Sequence, residues 1–200
     1  YKQQPLGPTI DGMMYFRDLR YDMALRNFTP ALAVAREMGS PSETAECLFN
    51  LAELNLEQSR FKDAMDKYGE AMEQYRLARD ASGQFWCYTG MGIVQKQMGN
   101  FDDAVICYKN ALVVTQKYGL KNEAASCYNN LGNVYRKKGD FLKAMESYEK
   151  AILHFKSLRD NIAVSDCQNN IGNLYLDNGD PFRALNYYNQ SLKIVKAAKD

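Results

Sequence analysis

NNLGNVYRKKGDFLKAMESY (residues 129–148) is written again forty residues later as NNIGNLYLDNGDPFRALNYY (residues 169–188). Followed outward, the same spacing orders most of the chain. Ala24, Ala64, Ala104, Ala144 and Ala184 fall on one column. Phe28, Tyr68, Tyr108, Tyr148 and Tyr188 fall on a second. Ala31, Ala71, Ala111, Ala151 and Ser191 fall on a third. Leu51, Met91, Leu131 and Ile171 form a fourth, followed by Ala52, Gly92, Gly132 and Gly172. Columns held in register without insertion identify a repeat array.

Each full unit predicts two helices. Ala124, Cys127, Tyr128, Leu131 and Tyr135 recur at spacings of three and four, which puts them on one helix face. Gly139 ends that helix, because glycine accepts the left-handed conformation of a C-terminal cap. Asp140 starts the next as an N-cap, and Phe141, Ala144, Tyr148, Ala151 and Ile152 mark its packed face. Gly99-Asn100 and Gly179-Asp180 repeat the punctuation, and Ser59-Arg60 is its weakest copy. Pro181 stands at a first helical position, where its missing N–H is no loss. Gly132, Gly172, Ala144 and Ala184 are small enough to let paired helices approach, with Tyr148 or Tyr188 filling the gap beyond.

Tyr128, Leu131-Gly132, Tyr135, Ala144, Tyr148 and Ala151 resemble the tetratricopeptide repeat, whose units carry such residues at these spacings. The resemblance covers residues 41–200 well and residues 9–40 in part. It implies an all-α fold, a right-handed α-solenoid of antiparallel helix pairs. The unit here is 40 residues against the family's usual length of about 34, and the Pro that often closes the repeat is missing. Long units of this kind look like those of Pins-like polarity adaptors. The expected organisation is an extended segment at 1–8, a truncated repeat at 9–40 with Thr9 as N-cap, and full repeats at 41–80, 81–120, 121–160 and 161–200. Pro5 and Pro8 bar a full first helix. No polar capping helix closes the last unit, so the chain is expected to continue or to meet a partner there.

Composition excludes several function classes. The 200 residues are 46% hydrophobic and 24% charged, enough for a core and unlike a disordered chain. With 25 basic and 24 acidic residues the net charge is +1, so no global field draws the chain to nucleic acid or a membrane surface. No apolar run is long enough to span a bilayer, and YKQQPLGPTI is not a signal peptide. A cytoplasmic protein is expected, with cytoskeletal or ciliary association a family context.

No catalytic, cofactor or metal site is expected. His154 is the single histidine and cannot form a triad or a multi-His centre. GMGIVQKQMGN (residues 90–100) lacks the fingerprint and preceding strand of a phosphate loop. Cys47, Cys87, Cys127 and Cys167 stand forty apart, too widely spaced for paired metal ligands and beyond disulfide reach on stacked helices. They read as buried, reduced core residues, and Cys107 likewise.

The resemblance also implies that the first helix of each unit lines the inner, concave surface. Offset from the packed face lie Ser126, Asn129, Asn133, Arg136 and Lys137 in the third full unit. Asp166, Asn169, Asn173, Leu176 and Asp177 follow in the fourth. The second places Trp86, Thr89, Ile93, Lys96 and Gln97 there, and the first places Glu46, Phe49, Glu53, Leu56 and Glu57. Residues 41–80 carry 5 basic and 9 acidic residues, whereas residues 121–160 carry 8 and 5. The expectation is a peptide groove that is acidic at Glu53, apolar at Phe49, Trp86 and Ile93, and basic at Arg136 and Lys137. Asn129, Asn133, Asn169 and Asn173 suit peptide-backbone pairing, since an amide both donates and accepts. The competing readings are solvated polar faces for the Asn and the charges, and inter-repeat packing for Trp86. The charge pattern disfavours a clamp for chaperone C-terminal carboxylates, because Phe49, Thr89, Asn129 and Asn169 stand where cations are needed. The expected function is a non-catalytic adaptor for an extended or partly helical segment of a partner protein. A structural subunit, a self-associating array or the regulatory part of an enzyme are the alternatives.

Overall fold

The computed structural model describes residues 21–197, with the side chain of residue 22 outside the description. The segment expected to be extended, and the first half of the truncated repeat with its Thr9 cap, lie outside the described residues. Nine α-helices and no strand are present among the described residues. They are α1 (Tyr21–Glu37), α2 (Pro41–Glu57), α3 (Phe61–Leu77), α4 (Ala81–Gln97), α5 (Phe101–Tyr118), α6 (Lys121–Lys137), α7 (Phe141–Ser157), α8 (Asn161–Asp177) and α9 (Pro181–Ala197). This is the all-α repeat class. The helices fall into two compact units, α1–α4 and α5–α9, divided between Met98 and Gly99.

The punctuation is denser than the sequence suggests. A left-handed residue follows every helix from α1 to α8, at Gly39, Ser59, Arg79, Gly99, Gly119, Gly139, Arg159 and Gly179, one each twenty residues. At the end of α6, Gly139 N–H donates to Arg136 O at 3.0 Å and Asp140 N–H to Tyr135 O at 2.9 Å. These two bonds form the Schellman closure, and it demands a positive φ at residue 139. Arg79 (φ 56°) and Arg159 (φ 59°) meet the same demand without glycine, at a strain of about 1 kcal/mol each. Four of the following helices are then started by a carboxylate. Asp80, Asp140, Asp160 and Asp180 each accept from the backbone N–H three residues on, at 2.9–3.1 Å.

Within each unit the columns become the core. Ala24, Ala64 and Tyr68 are fully buried in the first, and Ala104, Tyr108, Ala144 and Tyr148 in the second. The glycine column acts differently from the close backbone approach expected. A Cβ on Gly132 would lie 2.4 Å from the Tyr148 ring, and one on Gly172 would lie 2.4 Å from the Tyr188 ring. The tyrosine therefore sits directly over the glycine rather than beyond it. The ring supplies the apolar burial and the glycine supplies the space.

Candidate functional site

In the first unit the offset faces belong to α2 and α4. Glu53 points back into the core, where its Oε1 accepts from the hydroxyl of Tyr68. Burial pushes the Glu53 carboxyl above its ordinary value, the Tyr68 bond opposes that shift, and the neighbouring Glu57 adds to it. Phe49 is half-buried and meets the Tyr68 ring edge-on at 5.7 Å. It packs against the clusters centred on Leu48 and Ala52. Ile93 packs against the second of these. Thr89 is buried, with its hydroxyl unpartnered among the described residues. Trp86 differs from all of these. It remains 49% exposed, braced only along one edge by Phe85 at 4.9 Å. Glu46 is half-buried and Glu57 exposed on the same side of α2.

In the second unit most of the expected contact residues hold the fold together. Asn133 Oδ1 accepts from the Tyr148 hydroxyl at 2.9 Å, and Asn173 Oδ1 from the Tyr188 hydroxyl at 2.7 Å. The repeated Asn at these positions is thus demanded by packing. Placing the Asn by their offset from the packed face does not show this, although one signal was available. Glu53, Asn133 and Asn173 each precede a column tyrosine by fifteen residues. Asn129 joins neighbouring pairs: its Oδ1 accepts from Asn170 Nδ2 at 2.9 Å and from the Cys167 thiol at 3.4 Å. Arg136 joins them again through Asp177 at 2.7 Å, with its side chain only 19% exposed. Arg136 also restrains the Tyr148 phenol, which burial pushes up to about 12. Lys137 stays exposed, and Asn169 has no side-chain partner among the described residues.

What remains for a ligand is specific. The Nδ2 groups of Asn129, Asn133 and Asn173 donate to no described residue, while their carbonyl oxygens are engaged. Each bond to the carbonyl turns the amide so that its NH2 is offered. Asn129 also borders a concavity of about 370 Å³ between α6 and α8, with Ser126, Phe155, Asp160 and Asp166 among its walls.

The residue types that carry chemistry are in inert surroundings. Cys87 and Cys167 are buried, and burial pushes their thiols up to about 12, which keeps them protonated. Cys107 departs from the expected full burial and is partly exposed. His154 stacks flat on Tyr128 at 5.5 Å. Among the described residues no three His, Cys, Asp or Glu side chains converge as metal ligands, and no helix is long and apolar enough to cross a membrane.

Solved structures place this arrangement in a known fold. BtubC (BKLC) from P. vanneervenii superposes with a TM-score of 0.82 at 22% identity, over 94% of this chain and 78% of its own. A putative kinesin light chain of Podosopora anserina, with nearly identical TPR-like repeats, superposes at 0.77 and 14% identity over 98% of both chains. The Rap conjugation gene regulator of plasmid pLS20, solved in complex with the Phr* peptide, superposes at 0.75 and 20% identity. That match covers 96% of this chain and 53% of the regulator. At such identities the likeness is one of fold alone. No curated protein matches the sequence. The family model described as the tetratricopeptide repeat matches residues 12–77, 83–156 and 123–197. The chain belongs to the tetratricopeptide repeat family.

Proposed function

We propose that the chain is a protein-interaction module with no chemistry of its own, and that within each compact unit the offset faces of the first-of-pair helices receive an extended segment of a partner protein. Trp86 carries this reading. An indole half exposed on a face whose other apolar residues are packed is poorly explained by stability alone, and tryptophan is favoured where partners anchor. Glu46 and Glu57 on the neighbouring helix make that face attractive to a segment bringing Lys or Arg beside an apolar side chain. In the second unit the oriented amides of Asn129, Asn133 and Asn173 donate to ligand backbone carbonyls, and Lys137 adds a cation. Phe49, Ile93, Glu53 and Arg136 act behind this surface by holding the helices that present it.

A displayed library of unstructured peptides, selected on the full chain, tests the reading. Trp86 is the single tryptophan, so its emission reports binding directly. Selected peptides are expected to carry Lys or Arg next to an apolar residue and to shift that emission to the blue. Trp86→Ala weakens them by about thirtyfold, the loss typical of an interface hot spot, at an unchanged unfolding temperature. Peptides that bind equally well to Trp86→Ala would sink the proposal.

A further inference from the structure

Each first-of-pair helix floors a groove between the second helix of its own pair and that of the pair before. The grooves on α2, α6 and α8 fall wholly inside a unit. The chain closes two of them with its own side chains. On α2, Arg36 of α1 reaches Glu70 of α3 at 2.7 Å, and Lys67 joins the same carboxylate. On α8, Tyr187 of α9 lies flat on Tyr175, with ring centroids 5.5 Å apart and planes 18° from parallel. Burial lifts the Tyr187 phenol above its ordinary value, and the nearby Tyr175 and Glu149 add to the rise. Glu149 belongs to α7, so the ring spans the groove from one wall towards the other.

The groove on α6 stays open, as a concavity of about 190 Å³ between α5 and α7. It is built like the groove on α8. Tyr135 stands for Tyr175 and Lys143 for Arg183, and each cation lies over its ring, at 5.7 Å and 5.6 Å. The two grooves part at the ring that closes one of them, because the counterpart of Tyr187 is Ser147. Ser147 is buried and donates its hydroxyl to Lys143 O at 2.6 Å, so it reaches no further into the groove. The charge differs as well. Lys109 stands where Glu149 nears the Tyr187 phenol. Lys109, Lys143 and Lys150 rim the concavity against one carboxylate, Glu146. The two on α7 are held by Asp140 and Glu146 at 2.7 and 2.6 Å, whereas Lys109 is exposed and makes no ion pair among the described residues.

We propose that the groove on α6 receives a phosphotyrosine side chain of a partner protein. The ring lies on Tyr135 as Tyr187 lies on Tyr175. The phosphate, carried directly on the ring, then stands where the Tyr187 hydroxyl stands and meets Lys109 in place of Glu149. A phosphate brings about −1.5 to −2 charges and three acceptor oxygens, so the lysine rim favours the modified residue over tyrosine. Phosphoserine brings the charge without the ring. In a nucleotide the sugar separates ring from phosphate, which does not reproduce the outline of Tyr187. No further repeat at either end of the chain covers this groove, because α6 already has α5 and α7 on either side.

The probe is phenyl phosphate, with phenol and inorganic phosphate as its two halves. Each is titrated to about 10 mM into the isotope-labelled full chain, and the backbone amide shifts are read by NMR. Saturating shifts are expected at Tyr135, Ser147 and Lys150, with either half weaker by at least about tenfold. A Gly-Gly-phosphotyrosine-Gly-Gly peptide competes for the same shifts, and its unphosphorylated form does not. Ser147→Tyr supplies the plug that α9 carries and abolishes binding, with the fold checked by circular dichroism. Lys109→Glu, at an exposed position, weakens binding by at least about fivefold and gives the answer even where Ser147→Tyr does not fold. Neither groove nor probe involves Trp86, so this reading and the peptide reading fail separately. The proposal is overturned by an absence of shifts at the groove, or by binding indifferent to Lys109→Glu or to a folded Ser147→Tyr. Inorganic phosphate binding as tightly as phenyl phosphate would reduce the site to an adventitious lysine cluster. Tighter binding of AMP, or a phosphopeptide that fails to compete, would equally remove phosphotyrosine as the occupant.

Discussion

Tyr68 and Tyr148 are the same column residue packed in two ways. Both are fully buried, and both donate to a side chain fifteen residues earlier. Tyr148 lies over Gly132 in its own helix pair. Tyr68 instead leans over Gly90 in the first helix of the following pair, and the counterpart of Gly132 beside it is Ala52. The counterpart of Gly90 in the second unit is Asn170, which is occupied with Asn129, and the counterpart of Asn129 is Phe49, which meets Tyr68 edge-on. One unit therefore links its pairs through a ring, a phenylalanine and a glycine. The other links them through two amides, and the tyrosine returns to its own pair. Repeat columns are coupled: where the glycine sits decides which way the ring leans, and that decides whether an amide link has room.

The sharpest way to break this comparison is to fill the space under the ring. Gly132→Ala puts a Cβ 2.4 Å from a fully buried ring, and is expected to destabilise the chain by about 1–3 kcal/mol in denaturant titration. Gly90→Ala, 2.4 Å from the Tyr68 ring, is expected to cost a similar amount. Adding Asn170→Gly to Gly132→Ala recreates the arrangement of the first unit. The pair should then show a favourable coupling of about 1 kcal/mol in a double-mutant cycle. Strict additivity would mean that the two glycine positions are unrelated.

A smaller effect separates the columns by what the tyrosine hydroxyl finds. Tyr148→Phe removes the donor to Asn133 and is expected to cost about 1 kcal/mol. Tyr108 has a buried hydroxyl with no partner among the described residues, and the residue fifteen positions earlier is Ile93, which has no acceptor to offer. Tyr108→Phe should therefore be stabilising, by roughly 1 kcal/mol, because it removes a desolvated polar group without breaking a bond. The sign of the difference is the readout. Equal losses in both variants would show that the Tyr108 hydroxyl is bonded after all.

The helices were legible because their signals are local. Glycine after a run of threefold and fourfold spacing, and aspartate before the next, need no tertiary knowledge. The left-handed Arg79 and Arg159 were not legible, since arginine has no preference for that region and only the Schellman bonds force it there. Offset gave the helix face of each candidate and could not say what each side chain meets: Leu56 and Thr89 are buried there. Asn133 and Asn173 sit on the expected face and still bond inward, because a tyrosine hydroxyl from the second helix of the pair reaches them. Offset alone reads Arg136 as a free charge, yet its partner Asp177 is forty-one residues away and belongs to the next pair. Trp86, at the same kind of offset, is 49% exposed.

The smallest expected effect concerns the one column acceptor that ionises. Glu53 stands where the second unit has Asn133, and burial holds its carboxyl above the ordinary value of about 4.5. Between that value and the raised one the folded chain keeps a proton that the unfolded chain has lost, so stability falls as pH rises across the interval. The contribution of this group is complete below about 4.5 and lost as pH rises through the folded value. Glu53→Gln keeps an oxygen for Tyr68 and removes the ionisation, as Asn does in the other unit. Its unfolding temperature should match that of the native chain below pH about 4.5 and exceed it by a growing margin towards neutrality, where the native chain carries a desolvated charge. Removing the neighbouring charge with Glu57→Gln should shrink the margin, since Glu57 supplies part of the upward shift. A margin that stays flat with pH, or that favours the carboxylate near neutrality, would mean that the Tyr68 bond outweighs burial, and that the acidic acceptor stabilises the first unit as an amide stabilises the second.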